Sequence, residues 1–414
     1  MVRRLLLFLC LSMVSLSVVS AQNTWKMTSA QFIGHVIGTD FARTSQPYLS
    51  PDGSAVAWYD VAVKQFDVYD FDKAQTNVFP LPENCCAIGR YFNPSWSPDS
   101  RYISFTESAF DRGVDSDIWM LDRSNGEITD RTDDGLFGNW LKINDPFNLD
   151  YLPTWNPANG DLYFFRSNLS NDGDKTLGLY LMPVGRDEPK LVADLTAQLP
   201  VLSVYRPAVI SPDGTQIGFI VLGNDLTDAR NGVWVMDLKS GAAEQTATVE
   251  ALRAGLPSWQ TETALFPDFL EWAGNNALVV LSRDNQISPA TGIGQMAYYV
   301  DIATQTVTPL AHFEDVTSAN DLYRGYEPGS AIYRIPRSGV VAPDGSAFFF
   351  LRFGATSSEN AGISMLPLPP DGSDPVEVGA IDGFGAYPAA LAPPVISSNG
   401  KALIYGYVLQ FEQS

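Results

Sequence analysis

The chain has 414 residues, 45% hydrophobic and 18% charged, a globular composition long enough to bury a large core. Its 47 Asp and Glu outnumber 26 Lys and Arg, for a net charge of −21. That balance excludes nucleic acid as the main partner, because phosphate binding needs a basic face, and argues equally against docking on anionic lipid.

The first residues read as an address. Arg3 and Arg4 precede an apolar run from Leu5 to Val19, and Val19, Ser20 and Ala21 put short side chains before Gln22. This is the pattern of a secretory signal peptide over residues 1–21. It predicts an exported chain, secreted or periplasmic, beginning at Gln22. The run is short for a membrane span, and no later stretch is apolar enough to be one. Cys85 and Cys86 are adjacent. They are open to three readings: a vicinal disulfide, free thiols, or one bridge to another chain.

From residue 50 onward one unit recurs. Ser50-Pro51-Asp52-Gly53 precedes Ala55 to Tyr59, and Trp96-Ser97-Pro98-Asp99-Ser100 precedes Tyr102 to Phe105. Later copies follow at Trp155-Asn156-Pro157, Ser211-Pro212-Asp213-Gly214, Trp272-Ala273-Gly274-Asn275, Ala342-Pro343-Asp344-Gly345 and Ser397-Ser398-Asn399-Gly400. Each reads as strand, tight turn, strand: Pro presets φ, Asp bonds its own backbone, and Gly accepts positive φ. A third strand comes next, as in Ile118-Trp119-Met120-Leu121-Asp122 and Val233-Trp234-Val235-Met236-Asp237, and then a weaker fourth. Four strands per unit, at a spacing of about 45–70 residues, is the signature of a β-propeller. A short helix is expected near Thr248 to Ala254, ended by Gly255.

The count of copies predicts an all-β, seven-bladed propeller as a single domain over residues 22–414, with six blades as the alternative. The last copy has two strands and little chain after them. Thr24 to Thr28 resembles a third strand and Phe32 to Ile37 could be a fourth, so the N- and C-terminal strands are expected to pair in one closing blade.

Pro94-Ser95-Trp96-Ser97-Pro98-Asp99-Ser100, with Trp119-Met120-Leu121-Asp122 after it, resembles the TolB-like propeller repeat, which also builds the propeller half of dipeptidyl-peptidase-type proteins. The resemblance covers most of the chain beyond residue 21. It implies a propeller of the cell envelope or exterior that serves as a binding scaffold. TolB-type proteins carry a further domain before the propeller, whereas here Gln22 to Gln46 precede the first repeat. The peptidase relatives carry a hydrolase domain after it, and here the sequence ends at Ser414. Neither whole-protein activity is therefore expected.

Catalytic motifs are sparse. There is no Gly-x-Ser-x-Gly elbow. The two histidines, His35 and His312, leave a His-bound metal poorly supplied. Carboxylates are abundant between second and third strands: Asp111, Asp115 and Asp117 in one unit, Asp172 and Asp174 in the next, Asp225 and Asp228 in the one after. Asp-x-Asp with Asn and Gly nearby suits oxygen ligation of Ca²⁺, and Asp172 and Asp174 are the candidate ligands; solvated loop composition explains the same pattern. No other cofactor is expected.

The long connections carry a second signal. In a four-stranded antiparallel unit the Pro-Asp-Gly turns mark one face, and blade-to-blade connections fall on the other. Residues 133–152, 250–267 and 313–337 hold Trp140, Tyr151, Trp259, Tyr323, Arg324 and Tyr326. Aromatic and Arg side chains on loops over a rigid scaffold are what recognition surfaces use. The sequence thus predicts a monomeric scaffold binding a protein partner or a glycan through its loop-rich face. The alternatives are an extracellular propeller hydrolase or lyase acting on carbohydrate with carboxylates, and a structural module of an envelope complex.

Overall fold

The computed structural model describes residues 48–60, 63–83, 85, 93–107, 115–136, 148–168, 175–182, 188–199, 204–223, 225–254, 265–284, 295–310, 339–352, 362–380, 391–400 and 403–407. Blade 1 is β1 (Tyr48–Leu49), β2 (Ala55–Asp60), β3 (Gln65–Asp70) and β4 (Gln75–Pro80). Blade 2 is β5 (Ser95–Trp96), β6 (Tyr102–Thr106), β7 (Ile118–Asp122) and β8 (Glu127–Asp130). Blade 3 is β9 (Asn148–Trp155), β10 (Leu162–Asn168), β11 (Thr176–Met182) and β12 (Lys190–Asp194). Blade 4 is β13 (Val204–Ile210), β14 (Gln216–Val221), β15 (Gly232–Asp237) and β16 (Ala243–Thr248), followed by α1 (Val249–Ala254). Blade 5 is β17 (Leu265–Trp272), β18 (Ala277–Asp284), β19 (Gln295–Asp301) and β20 (Thr306–Pro309). Blade 6 is β21 (Gly339–Val341), β22 (Ala347–Arg352), β23 (Gly362–Pro367) and β24 (Val376–Ala380), and a hairpin follows, β25 (Leu391–Ile396) and β26 (Leu403–Tyr407).

Each blade is an antiparallel meander in sequence order. The first strands touch in succession, β1 to β5, β9, β13, β17, β21 and β25, and β25 returns to β1. That circuit makes the molecule a β-propeller with the first strands innermost. Among the described residues it holds six four-stranded blades and one two-stranded hairpin. The expected count of seven full blades is therefore corrected to six. The hairpin fills the place between blades 6 and 1, and residues 24–37, expected to complete it, lie outside the described residues.

The core is divided among the blade interfaces. Tyr59, Phe66 and Val68 of blade 1 pack with Ile103, Phe105 and Trp119 of blade 2, and Tyr151 and Phe165 of blade 3 with Ile217 and Phe219 of blade 4. Burying each such side chain contributes roughly 1.5–3 kcal/mol. Outer strands bury little, with β4 alternating between exposed and half-buried positions.

The recurring residues have one structural job. The indole N–H of Trp96 donates to Tyr48 O at 3.0 Å, that of Trp155 to Ser95 O at 3.2 Å, and that of Trp272 to Val209 O at 2.9 Å. Each acceptor lies on the innermost strand of the preceding blade, two residues before its turn serine. The repeat tryptophan thus fills the interface and satisfies a carbonyl on an inner edge that has no strand partner. The turns interlock in the same way: Ser50 Oγ donates to Asp52 at 2.7 Å and accepts the Ala55 N–H, while Asp52 N–H reaches Ser100 Oγ of the next blade at 3.1 Å. Asn399 N–H of the hairpin donates to Pro51 O at 3.3 Å, and its side chain to Asp52 O at 2.5 Å. Gly345 has φ 72°, and a methyl there would meet the backbone of Gly274 in the neighbouring turn, so only glycine fits.

Register shifts fall at Leu152-Pro153 in β9, Arg206-Pro207 in β13 and Pro393-Pro394 in β25. A proline on an inner edge gives up no ladder hydrogen bond, and the bulge blunts that edge. The short helix is α1, and Thr248 Oγ1 caps it by accepting Ala251 N–H at 3.0 Å. Cys85 is buried and disulfide-bonded, which removes the free-thiol reading for it; its partner lies outside the described residues.

Candidate functional site

Six carboxyl groups gather where blades 2 and 3 meet, at the end opposite the Pro-Asp-Gly turns. Strand β6 ends at Thr106 and passes into Glu107, and Asp115 and Asp117 lead into β7. Asp130 closes β8, Asp134 lies just beyond it, and Asp150 is the third residue of β9.

Backbone pairing brings these segments together. Ser116 forms an isolated parallel bridge with Leu149. Its N–H donates to Asn148 O at 3.0 Å, and Asp150 N–H donates to Ser116 O at 2.8 Å. Ser116 Oγ lies 3.0 Å from Glu107 O and 3.2 Å from Asp150 O. Asp115 accepts the Asn148 N–H at 2.8 Å, and the Asn148 side chain donates to Asp134. Thr132 Oγ1 accepts the Ile118 N–H at 2.8 Å and donates to Asp117 at 3.1 Å. Trp119 Nε1 donates to Glu107 at 2.8 Å.

Asp150 is 0% exposed and is held by Arg166, directly opposite on β10, through two bonds of 2.6 and 2.5 Å. The guanidinium lies over the rings of Tyr180 and Phe164. The fork geometry and the aromatic floor fix Arg166 in one pose.

Burial dominates the electrostatics. It pushes Asp115 up to about 7, with Asp134, Asp150 and Glu107 adding repulsion against one Asn148 hydrogen bond. It pushes Asp117 up to about 9, with Asp130, Asp115, Asp150 and Glu107 adding to the rise. Asp130 rises to about 6 and Glu107 rises too, both chiefly through burial. Burial lifts Asp150 to about 6 against the pull of Arg166, so the Asp150–Arg166 pair stays ionised at neutral pH. At pH 7 the group holds protons that solvent-exposed carboxyls would have lost.

Asp115 and Asp117, two of the carboxylates that the sequence places between second and third strands, are brought together by the fold. Glu107, Asp130, Asp134, Asp150 and Arg166 escaped sequence reading. Their one available signal was a charged residue inside each of two apolar strands, at Asp150 and Arg166. Asp225 and Asp228, in the matching connection of blade 4, are solvated, bond their own loop and are held below the ordinary range.

Tyr151 is corrected. It was expected on the loop face, but β9 begins at Asn148, so Tyr151 falls within the strand. It is 0% exposed, packs with Phe165 toward blade 4, and has its hydroxyl 3.1 Å from Ser167 Oγ. Trp140, Trp259, Tyr323, Arg324, Tyr326, Asp172 and Asp174 lie outside the described residues. Among the described residues, no three His, Cys, Asp or Glu side chains are set to hold a metal ion, and no helix is long and apolar enough to cross a membrane.

No family model matches the chain, and no curated protein matches it. Solved structures do. A hydrazine synthase structure from Kuenenia stuttgartiensis aligns with a TM-score of 0.50 at 13% identity over 92% of this chain and 99% of that one. A prolyl endopeptidase structure aligns with a TM-score of 0.50 at 12% identity over 88% of this chain and 46% of that one. An oligogalacturonate lyase from Vibrio parahaemolyticus aligns with a TM-score of 0.48 at 12% identity over 86% and 84%. At such identities the likeness is one of fold.

Proposed function

We propose that this chain is an exported propeller scaffold that holds a protein partner through its loop-rich end, with the blade 2–blade 3 carboxyls receiving a Lys or Arg side chain of that partner. The observation that carries the reading is the set Glu107, Asp115, Asp117, Asp130, Asp134 and Asp150 at one junction, with the Arg166 guanidinium already committed to Asp150. A cationic group placed there would relieve repulsion that the fold leaves standing. The signal-peptide pattern and the resemblance to the TolB-like repeat support export and a scaffold role.

Calorimetric titration with a lysine-rich peptide, beside a neutral peptide of equal length, tests this. Tighter binding of the basic peptide, weakened in Asp115→Asn/Asp117→Asn and by salt, is the expected result. Equal binding of the two peptides, or undiminished binding by the variant, overturns it.

Two finer features belong to the same proposal. Thr24 to Ile37 pairs with the β25–β26 hairpin and closes the ring, so a chain starting at Gln46 melts below one starting at Gln22; equal melting refutes the closure. Calcium bound by Asp172 and Asp174 raises the melting temperature by mass action, and the rise vanishes in Asp172→Asn/Asp174→Asn.

A carbohydrate-cleaving role is the second reading. It is favoured by Asp115, a buried carboxyl near 7, which is the range a general acid needs. Release of unsaturated or reducing ends from oligosaccharides, abolished by Asp115→Asn, would establish it.

A further inference from the structure

We infer that the bridge between blade 2 and blade 3 is a proton-operated latch, in which Asp115, Ser116 and Asp117, just before β7, are fastened to β9 while the carboxyls around Ser116 carry protons and are released as they ionise. The device is internal to the fold and needs no partner.

The fastening is small and well defined. Ser116 is 0% exposed and makes the one isolated bridge among the described residues. Two backbone hydrogen bonds and its hydroxyl tie it to Asn148, Asp150 and Glu107. Acids surround it on every side. Asp115 and Asp117 flank it in sequence, and Asp150 stands on the strand it pairs with. Glu107 supplies an acceptor carbonyl to it, and Asp130, Arg131, Asp133 and Asp134 follow at the end of β8. From β10 comes Arg166, neutralised by Asp150, and from β11 the Tyr180 ring beneath that guanidinium.

A second observation shows that the closed junction is not a relaxed one. Thr106, one residue before Glu107, is 0% exposed and its hydroxyl has no hydrogen-bond partner. By strand alternation it shares the face of β6 with Ser104, which bonds Trp155 of blade 3. Its side chain therefore lies on the face of β6 turned to this interface. Opening to water would satisfy that group and solvate the carboxylates together, so both favour the open form once protons leave.

The sign follows from linkage. Carboxyls raised by closure bind more protons closed than open, so closing takes up protons and rising pH opens the latch. Asp115 near 7 and Asp117 near 9 place the transition between mildly acid and mildly alkaline pH. Each proton released changes the opening equilibrium about tenfold per pH unit.

Amide hydrogen exchange on the whole protein, corrected for intrinsic rate, reads this directly. Ser116 and Asp150 amides should lose about tenfold or more of their protection between pH 6 and 8.5, by the same linkage slope, while Phe219 and Ile220 in β14 keep theirs. Asp115→Asn/Asp117→Asn should remain protected at pH 8.5. Should that variant fold poorly, the single Asp117→Asn variant should lose its protection less steeply with pH than the unaltered protein, because one fewer proton leaves on opening. Protection that does not change with pH, or that falls as steeply in the variants as in the unaltered protein, overturns the latch.

Discussion

The turn end of this propeller and the junction of blades 2 and 3 at its loop end use the same side chain in opposite ways. At the turn end, aspartates cap. Asp122 is drawn down to about 2, chiefly by Arg101, and Asp213 is lowered chiefly by its turn serine Ser211. Asp237 and Asp301 close their third strands and accept the N–H groups of Ser240 and Thr304, which lower them likewise. Asp52 and Asp70 are also lowered, their hydrogen bonds outweighing burial. At the loop end of blades 2 and 3, Asp115, Asp117, Asp130 and Asp150 are raised, because burial removes water faster than partners replace it. Donor supply, not residue type, decides which aspartate stabilises the fold as an anion.

The largest test of that contrast is pH itself. Lowered groups contribute stability that is present above about pH 4 and lost as acid approaches their folded values, near 2 for Asp122. Raised groups contribute stability that is present below about pH 4 and lost as pH rises through about 6 to about 9. Chemical denaturation across the pH range should therefore find a stability maximum in mild acid, at about pH 4–6. A maximum near pH 8 would erase the distinction between the two ends.

Arg166→Met comes next. It leaves Asp150 buried and unpaired, at an expected cost of about 3–5 kcal/mol at pH 8, and less at pH 5, where Asp150 can take a proton. A pH-independent loss would mean that Arg166 matters for packing on Phe164 and Tyr180 rather than for charge.

The turn end should respond to shape. Gly345→Ala forces a methyl at φ 72° against Gly274, for about 2 kcal/mol measured by denaturant midpoint. Trp272→Phe keeps most of the ring but leaves Val209 O without its donor, for about 1–2 kcal/mol. The smallest effect belongs to Asp122→Asn, because Arg101 is half exposed and water screens the pair. Its melting temperature should move slightly at neutral pH and not at all near pH 2; a large neutral shift would make that surface pair more than a cap.

The architecture was legible because repetition amplifies weak local signals. One Ser-Pro-Asp-Gly is a turn, but seven turns of this kind, two of them exact copies, with apolar flanks leave few folds open. The role of Trp96, Trp155 and Trp272 as latches between blades was not legible, since their acceptors lie about 48 to 63 residues away. The candidate site was legible only in part. Asp115-x-Asp117 showed as an acidic pair, but nothing local marks Asp130 or Glu107 as its neighbours. Tyr151 shows the converse error: a boundary misjudged by a few residues turned a core ring into a surface candidate.

By itself the sequence determined the strand period, the turn chemistry and the four-strand unit, because each depends on residues a few positions apart. Only the tertiary structure decided which carboxyls meet at blades 2 and 3 and which keep their protons. Those outcomes depend on burial and on the separation of charges drawn from different strands, and neither quantity exists until the blades pack.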